Sequence, residues 1–323
     1  MKSVFKLFCT SLIAILILAL GASALGYRKT TFVYLVLGLD DAASNSDSII
    51  LVSYDSNDNT ASVVQLPRDT YCKRDSHTGK INGVYASYKA SGLSDRECAQ
   101  MTADFISDNL GIHIDGFCAL RLSDLIKFVD ALGGVRISLS KELVFYDGQG
   151  AVIRTLKAGE NLLSGEDAAF FIRYRAGYKT GDLGRLDAQK IFIDAIFKTA
   201  IRSVGIDDLF DIAKIFSRGA VTNIGINEVL GMVLKHTSKF KETEITYLTM
   251  PGEPLRAQNG VWYYVLNKKE CISVLKNHLH SRGDDFDKYE IFFTKNESSI
   301  SEIYFSETIN RKEYHSLREI TFE

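Results

Sequence analysis

The chain has 323 residues, 46% of them hydrophobic, and a formal net charge of −2. Such a composition excludes a disordered or fibrous chain and leaves room for one large core or two modest ones. With no basic stripe, the usual nucleic-acid footprint is excluded as well, so no nucleic-acid partner is expected and any anion site must be local.

Residues 7–25, LFCTSLIAILILALGASAL, carry no charge. At about 1.5 Å per residue, roughly 19 to 20 helical residues cross a bilayer core. This predicts one N-terminal transmembrane helix after a short cytoplasmic tail, residues 1–6. The run exceeds the usual ~7–15-residue apolar region of a signal peptide, although Ala22-Ser23-Ala24 keeps a cleaved signal peptide open as the alternative. Lys2 and Lys6 on one flank are matched by Arg28 and Lys29 on the other, so the flanks leave orientation open. In either case the remainder is expected outside the cytoplasm, at the cell membrane.

Three β-branched apolar runs follow, 32–37, 48–54 and 61–66, separated by DDAASNSD and DSNDNT. Short polar connections predict an antiparallel meander. Ser94-Asp95-Arg96-Glu97 is a capping-box pattern opening a helix over 94–109, which Gly111 ends. A strand at 114–120, a helix over 122–132 stopped by Gly133-Gly134, and a strand at 135–139 form a unit expected to add parallel strands to the sheet. Helices are predicted over 164–171, 183–204, 207–216, 227–236 and 268–280, strands at 245–250 and 261–266, and a turn at Pro251-Gly252-Glu253-Pro254. The fold class expected is α/β with a mixed, helix-covered sheet over 32–280, followed by a polar extension, 281–323.

Two constellations could carry chemistry. If 48–54 pairs with 61–66 across DSNDNT, facing residues sum to 115 and Asp47 lies opposite Arg68, with Asp40 returned to the same sheet edge. Two carboxylates and a guanidinium there suit a divalent cation beside a phosphate. The second is Arg173-Tyr174-Arg175 with Asp182, Arg185 and Gln189. The last three share one helix face at its N-terminus, where backbone N–H groups attract anions, with the apolar strip expected opposite. Arg173 and Arg175 share a side if the backbone there is extended. Loops and solvated ion pairs are the plain alternatives for both groups. Cys9 sits in the apolar segment, and Cys72, Cys98, Cys118 and Cys271 allow three complete pairings. Neither a CxxC nor a His cluster suggests zinc.

The ordered motifs GLD, SDS, LPRDTY, KIN, the paired arginines, and GDLGR with a following Gln resemble the LytR-CpsA-Psr family, from about residue 32 to 266. The resemblance implies an α-β-α sandwich with a mixed central sheet. It also implies a Mg²⁺-assisted phosphotransferase, with Mn²⁺ a second candidate ion, moving a glycopolymer from a polyprenyl pyrophosphate carrier to peptidoglycan. By it, Asp40 and Asp47 match the metal-associated acidic pair, and Arg68, Arg173, Arg175 and Arg185 match pyrophosphate-binding arginines expected to converge on one cavity. Asp182 matches their orienting carboxylate, Gln189 a head-group contact, and Lys80 and Asn82 a neighbouring loop motif. The family's frequent arginines are replaced by Asn45 and Ala188. A polyprenyl chain needs an apolar groove, for which Ile191, Ile193, Ile196, Phe197 and Ile201 are candidates. A lipid pyrophosphatase and a non-catalytic lipid-phosphate binder or regulator are the competing readings. For an exported chain, Cys72 with Cys98 is the preferred disulfide, closing a loop of about 27 residues.

Overall fold

A computed structural model of the chain describes residues 31–40, 45–55, 57–74, 77–174, 178, 182–203, 220–225, 242–256 and 260–279. The expected anchor at 7–25, the helices at 207–216 and 227–236, and the extension at 281–323 lie outside the described residues. Among the described residues, no helix is long and apolar enough to cross a membrane. The chain divides into two compact units: one contains 31–121 and 221–279, the other 122–220.

In the first unit, β1 (Thr31–Leu39), β2 (Ser46–Asp55) and β3 (Thr60–Gln65) form the expected antiparallel meander. Ile50 faces Gln65 and Asp55 faces Thr60, the register read from the sequence. β4 (Tyr71–Arg74) and β5 (His77–Lys80) form a hairpin that was not among the predicted strands. It is followed by α1 (Gly83–Ala90) and α2 (Asp95–Leu110), the latter opened by the Ser94–Glu97 capping box and closed by Gly111 at φ 65°. β6 (Gly116–Arg121) runs parallel to β1.

The second unit begins with α3 (Leu122–Ala131) and β7 (Val135–Leu139), continues through β8 (Leu143–Tyr146), β9 (Val152–Leu156) and β10 (Gly159–Leu163), and ends with α4 (Gly165–Arg173) and α5 (Asp182–Ser203). β7 corrects one expectation, because it does not extend the main sheet. It pairs antiparallel with β10, and its alternation of buried and exposed residues shows why: Arg136 and Ser138 face water, which a parallel strand covered on both faces would not allow.

The first unit resumes with β11 (Val221–Thr222), β12 (Glu244–Thr249), β13 (Gly252–Arg256), β14 (Trp262–Leu266), α6 (Lys268–Val274) and a π-helical turn at Leu275–Leu279. Gly252, Glu253 and Pro254, expected in a turn, instead belong to β13, which pairs with β14. Among the described residues, six strands form the mixed sheet β11-β6-β1-β2-β3-β12, with β12 parallel to β3. Val33, Leu35 and Leu37 are fully buried, and so are Leu51, Val52 and Val64 of its neighbours. β1 is buried on both faces, as befits the middle of a sheet covered on both sides.

Candidate functional site

The first constellation gathers at one edge of the mixed sheet, where β1 and β6 end and β2 begins. Open α/β sheets place ligands at such carboxyl ends. The decisive local feature is a bulge. Gly38 faces Ser48 but Leu39 faces Ser46, so Asp47 is the extra residue, and a bulge re-aims the side chain it carries. Gly38 makes the bulge affordable, since a Cβ there would lie 3.0 Å from the Ser48 Cβ.

Asp47 is aimed at Arg68, whose Nη1 donates to Asp47 Oδ1 at 2.5 Å. The guanidinium is 18% exposed and the carboxylate 48%, so the pair is open to a ligand from the Asp47 side. Asp40 follows directly after β1, and its N–H donates to the Asn45 carbonyl at 3.2 Å, which holds it beside the start of β2.

The β4–β5 hairpin explains why KIN belongs to the same edge. It turns the chain back so that the Ile81 N–H donates to the Thr70 carbonyl at 2.8 Å and the Asn82 N–H to the Arg68 carbonyl at 3.1 Å. The Asn82 carbonyl in turn accepts from Ser46 N–H at 3.2 Å and Ser46 Oγ at 3.3 Å. Asn82 thus straps the carboxylate strand to the arginine loop through its backbone. Lys80 ion-pairs with Asp69 at 2.9 Å. The Asp69–Lys80 pair and this backbone strap were missed in the sequence, because YCKR at 71–74 lacks the apolar–polar alternation that marks a strand.

The second constellation lies in the other unit. α4 starts at a capping box, with Ser164 Oγ accepting the Asp167 N–H. Burial works against ionising Asp167, yet the hydrogen bonds of Arg154 and Ser164 outweigh it and hold its carboxyl below the usual range. Gly165 lets α4 touch α3, because a Cβ would sit 2.1 Å from the Ile126 carbonyl oxygen, and its N–H donates to Asp130 Oδ1 at 2.7 Å. So positioned, α4 ends at Arg173, which is exposed and helical rather than extended. Gln189 Nε2 donates to the Ile172 carbonyl at 3.2 Å, satisfying a carbonyl at the end of α4.

Arg185 is only 2% exposed and Gln189 7%. The apolar strip expected on the opposite face instead continues theirs: Ala188, Phe192 and Ile196 follow at helical spacing and are buried. α5 therefore carries polar groups at its N-terminal end and an apolar stripe below them. Of the groove candidates, Ile193 and Ile196 are buried, Ile191 and Phe197 partly so, and the Ile201 side chain lies outside the described residues. Arg175 and the Asp182 side chain also lie outside them.

The expected Cys72–Cys98 disulfide is corrected, since Cys72 and Cys98 are buried free thiols, and Cys118 and Cys271 are buried as well. Each thiol sits in its own environment: Cys98 Sγ–H donates to the Leu93 carbonyl at 3.6 Å, and burial pushes the Cys72 thiol up to about 12. Among the described residues there is no group of three or more His, Cys, Asp or Glu side chains able to hold a metal by themselves. Two carboxylates do suit Mg²⁺, which commonly takes one or two from the protein and completes its shell with substrate phosphates and water.

Residues 19–280 match the LytR_cpsA_psr family. The chain belongs to the LytR-CpsA-Psr family. Among its relatives, TagU of Bacillus subtilis, a polyisoprenyl-teichoic acid–peptidoglycan teichoic acid transferase, is 25% identical over 252 residues, 77% of each chain. TagV of the same organism, with the same described activity, is 27% identical over 80% of this chain and 67% of its own. The crystal structure of TagV superimposes with a TM-score of 0.63 at 25% identity, covering 77% of this chain and 96% of TagV. The gbs0355 protein of Streptococcus agalactiae does so with a TM-score of 0.65 at 25% identity, over 76% and 86%. The mixed α/β fold of this LytR-CpsA-Psr chain is thus that of solved relatives, and the bulge, strap and arginine loop are built from its GLD, SDS, LPRDTY and KIN motifs.

Proposed function

We propose that this chain is a phosphotransferase moving a glycopolymer from a polyprenyl pyrophosphate carrier to peptidoglycan. The observation that carries the reading is the bulged Asp47 held against Arg68 at the carboxyl edge of the sheet. The activity in the names of TagU and TagV supports it. In this reading the α-β-α sandwich stands outside the cytoplasm, tethered by residues 7–25.

Phosphoryl transfer needs charge neutralisation and in-line positioning more than covalent help from the protein, which suits a site of Arg and Asp. Asp40 and Asp47 would hold Mg²⁺, which when bound neutralises pyrophosphate charge. Arg68, Arg173, Arg175 and Arg185 bind pyrophosphate oxygens, Asp182 orients the arginines, and Gln189 contacts the head group. The acceptor hydroxyl of peptidoglycan attacks the sugar-linked phosphorus. A new P–O bond forms as the bond to the bridging oxygen breaks, and polyprenyl phosphate leaves with its charge stabilised by the arginines. The hydroxyl proton passes to solvent, with Asp40 or Asp47 as a secondary acceptor because metal ligation lowers its basicity. The apolar stripe of α5 below Arg185 and Gln189 matches an amphiphile with a charged head and a hydrocarbon tail.

The test is affinity for a polyprenyl pyrophosphate in Arg68→Ala, Arg175→Ala and Arg185→Ala. Each should bind at least about tenfold more weakly, ~1.4 kcal/mol, and Lys should restore little because a point charge cannot replace a planar fork. Unchanged affinity in all three contradicts the assignment.

A further inference from the structure

We propose that the tip of the β8–β9 hairpin, Tyr146 with Val152 and Ile153, dips into the interface of the lipid bilayer that holds the carrier. The proposal rests on reading the substrate as a polyprenyl pyrophosphate, and it adds a membrane contact outside the pyrophosphate site.

The pairing of the two strands creates the apolar tip. Phe145 faces Arg154 but Tyr146 faces Val152, so Ile153 is an extra residue, and Val152 and Ile153 together stand opposite Tyr146. At the base, the paired Leu143 and Leu156 are buried. From Tyr146 to Thr155 every residue is exposed, so the hairpin projects from its unit. Tyr146 is 56% exposed, Val152 58% and Ile153 49%. Single exposed apolar side chains are ordinary on a surface, whereas three that meet across a strand pair form a patch open to a partner.

The chemistry of the tip favours lipid over protein. Asp147 and Arg154 are its only charged residues, their charges cancel, and both are engaged. Asp147 Oδ1 accepts the N–H of Gln149 at 2.9 Å and of Ala151 at 2.8 Å, while Arg154 pairs with Asp167 on α4. The turn also closes its own backbone groups: the Asp147 N–H donates to the Ala151 carbonyl at 2.9 Å, and the Gly150 N–H to the Asp147 carbonyl at 3.2 Å. Entry into a lipid interface therefore strips little water from charged or unpaired polar groups. A tyrosine suits that boundary, with its ring against acyl chains and its hydroxyl in water.

The inner face ties this tip to the proposed head-group site. The Phe145 ring packs on Phe170, with centroids 5.3 Å apart, and on Tyr174 at 4.9 Å. With the Arg154–Asp167 pair, these contacts clamp the hairpin to α4, the helix that ends at Arg173. A carrier whose hydrocarbon tail stays in the bilayer holds its pyrophosphate at the bilayer surface. An apolar tip joined to the helix that receives this pyrophosphate meets the same surface, and lipid is the apolar phase present there.

The test uses the full chain in vesicles of phosphatidylglycerol and phosphatidylethanolamine. Trp262→Phe removes the single native tryptophan, and Tyr146→Trp introduces a reporter in the tip. Lipids brominated in their acyl chains should quench its emission, and aqueous iodide should quench it little. Emission reached by iodide and unaffected by brominated lipid overturns the proposal. So does emission shielded from both, the mark of a contact between copies of the chain.

Kinetics supply a second readout. Val152→Ser combined with Ile153→Ser should raise the KM for a long-chain carrier in these vesicles about tenfold, with kcat little changed, and leave the KM for a water-soluble short-chain carrier near the parent's. No rise with the vesicle-borne carrier, or an equal rise with both carriers, overturns it. If the parent chain transfers nothing, the functional reading falls, while the quenching still decides whether the tip enters the membrane.

Discussion

Replacing Gly38 by alanine puts a methyl group into the tightest contact of the bulge. The added carbon would lie 3.0 Å from the Ser48 Cβ, whereas carbons in comfortable contact stand about 3.5–4.0 Å apart. The strands must therefore part by roughly 0.5–1 Å, or Ser48 must shift by that amount. Overpacking of this kind typically costs about 1–3 kcal/mol, and the lost flexibility of the unfolded chain returns about 0.4–1 kcal/mol, for a net loss of roughly 1–2 kcal/mol. The functional consequence should be larger. Asp47 is the bulged residue next to Ser48, and a misplacement of about 1 Å at a reacting centre can cost ~10²-fold in rate. The assay pairs urea unfolding with transfer of a lipid-linked glycopolymer, in Gly38→Ala, Ser48→Gly and the double variant. Gly38→Ala should lose most of its rate, and the double variant should recover most of it because the second substitution removes the opposing Cβ. Full activity in Gly38→Ala, or no recovery in the double variant, would refute the idea that this contact aims Asp47.

Other outcomes follow from the same structure. Because Cys72 and Cys98 are free thiols, a reductant should leave the unfolding midpoint unchanged, and a thiol reagent should label Cys72 only after denaturation; a drop of about 3–4 kcal/mol on reduction would restore the disulfide. Burial lowers the pKa of His278, whose Nδ1 lies 3.0 Å from Ser62 Oγ on the sheet. The unfolded chain then binds the proton more readily, so this contribution is complete above about pH 6.5 and declines as pH falls below it. His278→Gln should flatten that part of the stability profile, and an unchanged slope would contradict the assignment. Gly165→Ala should destabilise by more than about 2 kcal/mol, since its methyl meets a backbone carbonyl of α3 rather than a movable side chain, and a melting temperature within a degree of the parent would argue against that contact.

The meander was legible because continuous β-branched apolar runs, the mark of strands buried on both faces, are joined by short polar connections that leave only antiparallel pairing. The facing of Asp47 and Arg68 followed from it, but the bulge did not, since nothing in SDS distinguishes a paired residue from an extra one. β7 was misassigned because its position after a helix outweighed the alternation of VRISL, the pattern of a half-exposed strand. β13 was hidden by Pro251 and Pro254, which read as a turn, whereas Pro254 sits in a two-stranded hairpin opposite Tyr264. The face of α5 was misread for a different reason. Arg185 and Gln189 look like a solvated face, yet the helix buries them together with Ala188 and Phe192, a choice made by tertiary packing. The strap through Asn82 was invisible because it uses backbone groups that every residue possesses.

The most direct test of the central claim is product analysis of the full chain with a lipid-linked pyrophosphate glycopolymer, Mg²⁺, and peptidoglycan present or absent. The account predicts covalent attachment of the glycopolymer to peptidoglycan with release of polyprenyl phosphate, dependent on the acceptor and lost in Arg68→Ala. Polyprenyl phosphate released equally without peptidoglycan would make the chain a pyrophosphatase, and intact substrate under both conditions would make it a binder; either result contradicts the account.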